Sequence, residues 1–168
     1  MSKKSLTLVA IIFSFFSFGC AAKDSPIDFK FIDDYLVAWD QFAKGQNDLM
    51  PQLKTNKHEF SHQLATALNQ GDKRAPSRLV FYAVVQVGGF IPYESELGKA
   101  CEKVVGKEVT VFESKKGERS YFAGDLFFWW EKKQGDFERF PLYDEWRQRD
   151  FVKKSVIRLY ESATKQRP

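Results

Sequence analysis

Apolar residues at helical spacing dominate the pattern along this 168-residue chain. The first such stripe has members three or four positions apart, at Phe29, Ile32, Leu36, Trp39 and Ala43. Ser25 followed by Pro26 is typical of a helix start, because serine caps free backbone N–H groups and proline has none to satisfy. Gly45 is typical of a helix end. The pattern therefore predicts a helix over 26–44.

Later segments predict four or five further helices. They run from 55 or 56 to 70, from 79 to 87, from 92 to 105, from 125 to 133 and from 144 to 164. Pro92 and Asp125 are the expected start residues of two of them. A polar stretch with Pro51 predicts a loop over 46–55. Residues 79–87 are apolar on nearly every side, which favours a buried helix, while their valines and aromatic residues also suit a buried strand.

One region has the alternation of a strand pair. Val109 and Val111 alternate with polar residues, a turn follows at 114–117, and 120–123 is again compatible with a strand. This predicts a β-hairpin over about 108–123. The expected fold is therefore mainly α. It is a single globular domain over 26–168 with five to six helices, and the β-hairpin supplies its strands.

The N-terminal segment has a different pattern. Lys3 and Lys4 precede an almost unbroken apolar run over 6–18, which ends in Gly19-Cys20. The run is shorter than the ~20 residues that span a bilayer. A short apolar run after a basic start is the layout of an export signal.

This segment resembles a bacterial lipoprotein signal, in which the cysteine becomes the first mature residue and carries lipid. The resemblance implies a signal peptide over 1–19, lipidation of Cys20, and a short tether over 20–25. Ala21 after the cysteine implies sorting to the outer membrane of a Gram-negative bacterium, with the domain facing the periplasm. The alternative is cleavage after Ala22, which would leave a soluble periplasmic or secreted protein.

Charge and cysteine content narrow the choice of partner. The formal charge is +4, and without Lys3 and Lys4 it falls to +2. The basic residues are interleaved with acids, which argues against a nucleic-acid-binding protein.

With Cys20 lipidated, Cys101 has no intramolecular partner, and we expect a buried thiol that behaves as an apolar group. An intermolecular disulfide is the alternative.

The sharpest chemical motif is H-E-x-x-H at 58–62. It resembles the pattern of zinc metallopeptidases, in which two histidines on one helix face bind the metal and the glutamate acts as general base. The candidate ligands are His58 and His62, and the candidate base is Glu59. A third ligand would have to be Glu94, Glu96 or another acid. The predicted helix start places His58 in a frayed first turn, which argues against zinc, and no other cofactor is expected.

A dense aromatic cluster is the second candidate site. Its members considered for partner binding are Trp129, Trp130, Phe137, Phe140, Tyr143 and Trp146. The sequence favours the cluster as core with one or two exposed rings, and the stretch 132–146 as the best candidate for a binding loop. Tyrosine and tryptophan are also enriched at protein interfaces.

These observations favour an exported, membrane-anchored protein that binds or inhibits a protein partner in the envelope, as periplasmic immunity proteins do. The chain has no G-x-S-x-G, phosphate-loop or dinucleotide motif. The first alternative is a small zinc metallopeptidase that uses His58, Glu59 and His62. The second is a structural component of the envelope.

Overall fold

The structure is a computed structural model that describes residues 26–86 and 89–148, with side chains up to 145 within that range. The predicted signal and lipid anchor, with Cys20, lie outside the described residues. So do the side chain of Trp146 and most of the predicted last helix. None of the helices described is long and apolar enough to cross a membrane.

The described residues form a mainly α fold, as predicted, with six α-helices and a small antiparallel sheet. The helices are α1 (Phe29–Ala43), α2 (Met50–Asn69), α3 (Ala75–Val85), α4 (Glu96–Val105), α5 (Ala123–Lys133) and α6 (Pro141–Gln148). The strands are β1 (Phe90–Pro92), β2 (Phe112–Glu113) and β3 (Arg119–Phe122).

The core lies where α1, α2 and α3 pack against one another, with α4 on α2 and α5 on α3. Tyr35 of α1 stacks on Phe60 of α2 with ring centroids 4.2 Å apart, and Tyr82 of α3 lies 4.7 Å from Phe60. The predicted stripe of α1 is confirmed in its centre, since Ile32 and Leu36 are fully buried. Helical spacing therefore identified the face of α1 that packs against the other helices.

The predicted hairpin is confirmed, but a third strand was not predicted. β3 pairs antiparallel with both β2 and β1, and Ile91 of β1 lies opposite Tyr121 of β3. The prediction that α4 starts at Pro92 is wrong, because Pro92 ends β1. Ser95 caps α4 instead: its Oγ accepts a hydrogen bond of 3.0 Å from the backbone N–H of Gly98.

The starts of α1 and α2 also differ from the prediction. α1 begins at Phe29, because the carboxylate of Asp28 accepts a hydrogen bond from the Phe31 N–H, rather than at the Ser25-Pro26 pair. The predicted loop over 46–55 is wrong from residue 50 onward, since α2 already begins at Met50. Pro51 lies in the first turn, where a missing N–H costs nothing.

The remaining differences concern α3, α5 and α6. The ambiguous segment 79–87 is helical up to Val85, within a helix that begins at Ala75. Asp125 lies in the first turn of α5, and the cap position is taken by Phe122. α6 begins three residues before Asp144, at a proline.

Candidate functional site: a cleft between helices α2 and α4

A cleft of about 500 Å³ opens between α2, the C-terminal end of α3, β1 and the N-terminal end of α4. We call it the α2–α4 cleft. Its α2 wall consists of Lys54, Lys57, His58 and Ser61, which share one helix face by their spacing. The size falls within the range of small-molecule and peptide-side-chain sites in proteins.

The α2 wall carries an unpaired basic row. Lys54, Lys57 and His58 are exposed, and none of them forms an ion pair or hydrogen bond within the described part of the chain. The one acidic residue among the lining side chains described is Glu96, which contacts His62. The rim of the cleft is therefore positively charged.

The floor of the cleft is apolar and includes the side chain of Tyr82, which carries a hydroxyl. Ile91 and Leu97 are almost fully buried, and Tyr82 is 4% exposed. The Tyr82 hydroxyl has no hydrogen-bond partner within 26–86 and 89–148. Burial, and then the neighbouring Tyr35, raises the pKa of Tyr82 well above its ordinary value. The phenol therefore stays neutral and offers a hydrogen-bond donor at the floor.

A tight connection between β1 and α4 builds the opposite wall. The Ser95 hydroxyl donates to the carbonyl of Pro92 at 2.6 Å and accepts from Gly98. A Cβ on Gly98 would lie 2.1 Å from the Pro92 carbonyl oxygen and 2.6 Å from that of Tyr93. Only glycine permits this approach, which brings Pro92 and Leu97 to the same side of the cleft.

The structure places the H-E-x-x-H residues differently from the sequence prediction. With α2 starting at Met50, His58 lies in the third turn, so the objection that it lies in a frayed first turn is wrong. His58 lines the cleft, and His62 Nδ1 lies 2.9 Å from Glu96 Oε1. The histidines thus lie on the α4 side of α2.

Glu59, the candidate base, is engaged on another side of α2. Its carboxylate accepts a hydrogen bond of 2.8 Å from the Gln63 amide. The Gln63 carbonyl in turn accepts from the backbone N–H of Asp28, just before α1. Glu59 therefore bonds to Gln63, while His62 bonds to Glu96.

The candidate third ligands do not complete a metal site. Glu94 pairs with Lys99 at 2.9 Å and with Arg119, and these two cations lower the pKa of Glu94. Glu96 forms a hydrogen bond with His62 but not with His58. Nowhere in the described ranges do three histidine, cysteine or acidic side chains gather as a metal would require.

Most of the aromatic candidates lie in the core. Trp129, Trp130, Phe140 and Tyr143 are buried, and Phe137 is half-buried. A partner would not reach the four buried rings without displacing their neighbours. The large apolar side chains exposed in the described residues are instead Phe90, at 44%, and Phe128, at 38%.

Cys101 is buried and free, as predicted. Burial, and then the nearby Glu102 carboxylate, raises the pKa of the thiol to about 12. A thiol that stays protonated at neutral pH and lies out of contact with solvent is a poor nucleophile. Cys101 therefore belongs to the packing of α4.

Sequence reasoning missed the cleft, although the signal is present. Lys54, Lys57, His58 and Ser61 recur at positions i, i+3, i+4 and i+7. Because Pro51 predicts a loop that continues to residue 55, Lys54 falls outside the predicted helix and the row of four residues is not recognised. Tyr82 carries no such signal, since its hydroxyl is distinguished only by where α3 packs.

No protein-family model matches the chain, and no curated protein or solved structure matches it either.

Proposed function

We propose that the chain is an exported bacterial lipoprotein, anchored in the outer membrane through Cys20, whose periplasmic domain acts by binding a protein partner. Its role is that of a non-enzymatic binding or inhibitor protein, as in the immunity-like class. The recognition site is the α2–α4 cleft. The export and anchoring parts rest on the resemblance of residues 1–20 to a lipoprotein signal.

The observation that carries the binding role is the unpaired basic row above an apolar floor. Lys54, Lys57 and His58 have no partners within the described residues, and all three lie on one wall of the cleft. Concave sites with an apolar lining and a few polar groups are the usual form of a ligand site. This arrangement suits recognition of a group that brings its own negative charge.

A zinc peptidase is the second candidate, and one observation favours it. His58 and Glu96 both line the cleft, with His62 bonded to Glu96. It is the weaker candidate, because no third histidine, cysteine or acidic side chain gathers with this pair among the described residues as a zinc site would require. A structural role in the envelope is the third candidate and predicts no discrete partner.

Site-specific photo-crosslinking in cells tests the binding role. p-Benzoylphenylalanine replaces Lys57 at the rim of the cleft, or Lys115 in the hairpin turn, which is also exposed, as a control. We expect one discrete crosslinked protein species from position 57, none from position 115, and no effect of Glu59→Gln on the product. Identical patterns from both positions, or no product from position 57, would contradict a cleft-directed partner.

A further inference from the structure

We propose that the α2–α4 cleft binds a short acidic peptide segment of the partner, in which carboxylates flank apolar side chains. This inference rests on the proposed binding function and names the ligand of the same site. The carboxylates meet the basic row of α2, and the apolar side chains pack on the floor. The neutral hydroxyl of Tyr82 bonds to the backbone or side chain of the segment.

Charge complementarity supports an anionic ligand. Lys54 and Lys57 lie one helical turn apart on the same wall, and neither is neutralised by a described residue. Glu96, the acid that lines the cleft, is already engaged with His62. A ligand carboxylate at this wall gains charge-assisted hydrogen bonds that no group among the described residues supplies.

The mixture of polar and apolar lining favours a peptide over an acyl chain. Ile91, Pro92 and Leu97 supply apolar contacts, but Ser61 and Tyr82 place hydroxyls among them. A hydrocarbon chain would bury these hydroxyls without a partner, which costs free energy. Peptide N–H and C=O groups satisfy them while an adjacent side chain contacts the floor.

The Tyr82 side chain is a second observation, independent of the charges, that supports a ligand in the cleft. It is more than nine-tenths buried, it lines the cleft, and its hydroxyl is unpartnered among the residues that the structure describes. A hydroxyl that lines the cleft without a partner in the described residues is available to donate a hydrogen bond to a ligand atom.

Calorimetric titration of the purified chain with a defined peptide tests the proposal. The probe is acetyl-Glu-Leu-Phe-Glu-amide, and acetyl-Gln-Leu-Phe-Gln-amide is its uncharged counterpart. We expect the acidic probe to bind with a Kd below about 1 mM at low salt, and more weakly at high salt. The uncharged counterpart should bind at least about tenfold more weakly, since it lacks both carboxylates.

Variants locate the binding. Lys54→Ala with Lys57→Ala should weaken binding of the acidic probe at least about tenfold, and Tyr82→Phe about threefold or more. Lys115→Ala with Lys116→Ala removes the same charge from the hairpin turn and should leave the Kd unchanged. Circular dichroism confirms that each variant is folded.

Three results would overturn the proposal: no binding of the acidic probe, equal loss of affinity in both double-lysine variants, or binding of decanoate in its place. If one of them is found while position 57 still crosslinks to a partner, the ligand class is wrong and the binding function stands. If the crosslink also fails, the binding function falls with it.

Discussion

The guanidinium of Arg78 donates two parallel hydrogen bonds to the carboxylate of Asp33, with nitrogen–oxygen distances of 2.6 and 2.8 Å. The Arg78 side chain is only 4% exposed, and it also donates to the carbonyl of Arg74. The pair joins α3 to α1. Because α3 carries Tyr82, it also sets the position of the floor of the α2–α4 cleft.

Removing Asp33 should therefore destabilise the fold. Asp33→Ala leaves the buried Arg78 charge without its partner, and we expect a loss of about 3 kcal/mol in the free energy of unfolding. Chemical denaturation measures it. Asp34→Ala is the matched control, because Asp34 pairs with Lys30 on the exposed surface and such pairs contribute little. Equal losses in the two variants would mean that the Arg78 pair does not support the fold.

Gly98 should tolerate no side chain. In Gly98→Ala the new Cβ meets the carbonyl oxygens of Pro92 and Tyr93, so β1 and α4 must move apart. We expect a loss of about 2–3 kcal/mol in thermal or chemical unfolding. Gly135→Ala is the control, since nothing lies within 4 Å of its Cβ. A fully stable Gly98→Ala protein would show that the connection is looser than the structure has it.

The Cys101 thiol should be unreactive in the folded protein. Its pKa is raised from 9.0 to about 12 by burial, so the thiolate fraction at pH 8 falls about a thousandfold. In a Cys20→Ala background, a thiol reagent should label the chain only after denaturation. Rapid labelling of the native protein would show that Cys101 is accessible.

The same pKa shift predicts a loss of stability in alkali. The folded pKa lies above the unfolded one, so the folded state favours the neutral thiol. The contribution is complete below pH 9 and is lost as the pH rises toward 12. Cys101→Ser, whose hydroxyl does not titrate in this range, should lose less stability over the same interval.

Lipid anchoring through Cys20 has a direct test. Cys20→Ala should remove the lipid, change the electrophoretic migration, and move the protein from the membrane fraction to the soluble fraction. The lipid is the expected anchor because a diacylated N-terminus holds a protein firmly at a bilayer. Identical fractionation of the parent chain and the variant would contradict the lipoprotein hypothesis.

Periodicity predicted the helices better than their boundaries. The stripe of α1 and the hairpin were correct because repeated apolar spacing reports which face is buried. Pro51 was expected in a loop and lies in a first helical turn, while Pro92 was expected to start a helix and ends a strand. Proline fits all of these positions, and only the surrounding hydrogen bonds decide between them. β1 was missed because three residues are too few to show alternation.

The candidate site shows the same limit. The motif at 58–62 was visible in the sequence, but the contact of His62 with Glu96 of α4 joins residues 34 positions apart. Likewise, the burial of Trp130 and Tyr143 follows from how α5 and α6 pack. Sequence spacing reports one helix face at a time and does not show which faces meet.

The zinc content of the purified chain, without a histidine tag, separates the two main candidate functions of the α2–α4 cleft, since only the peptidase requires a bound metal. We expect much less than one zinc per chain after incubation with zinc and gel filtration, and no difference in His62→Ala, because no third ligand joins the histidines within the described residues. About one zinc per chain, lost in His58→Ala and in His62→Ala, would contradict this expectation and favour the peptidase.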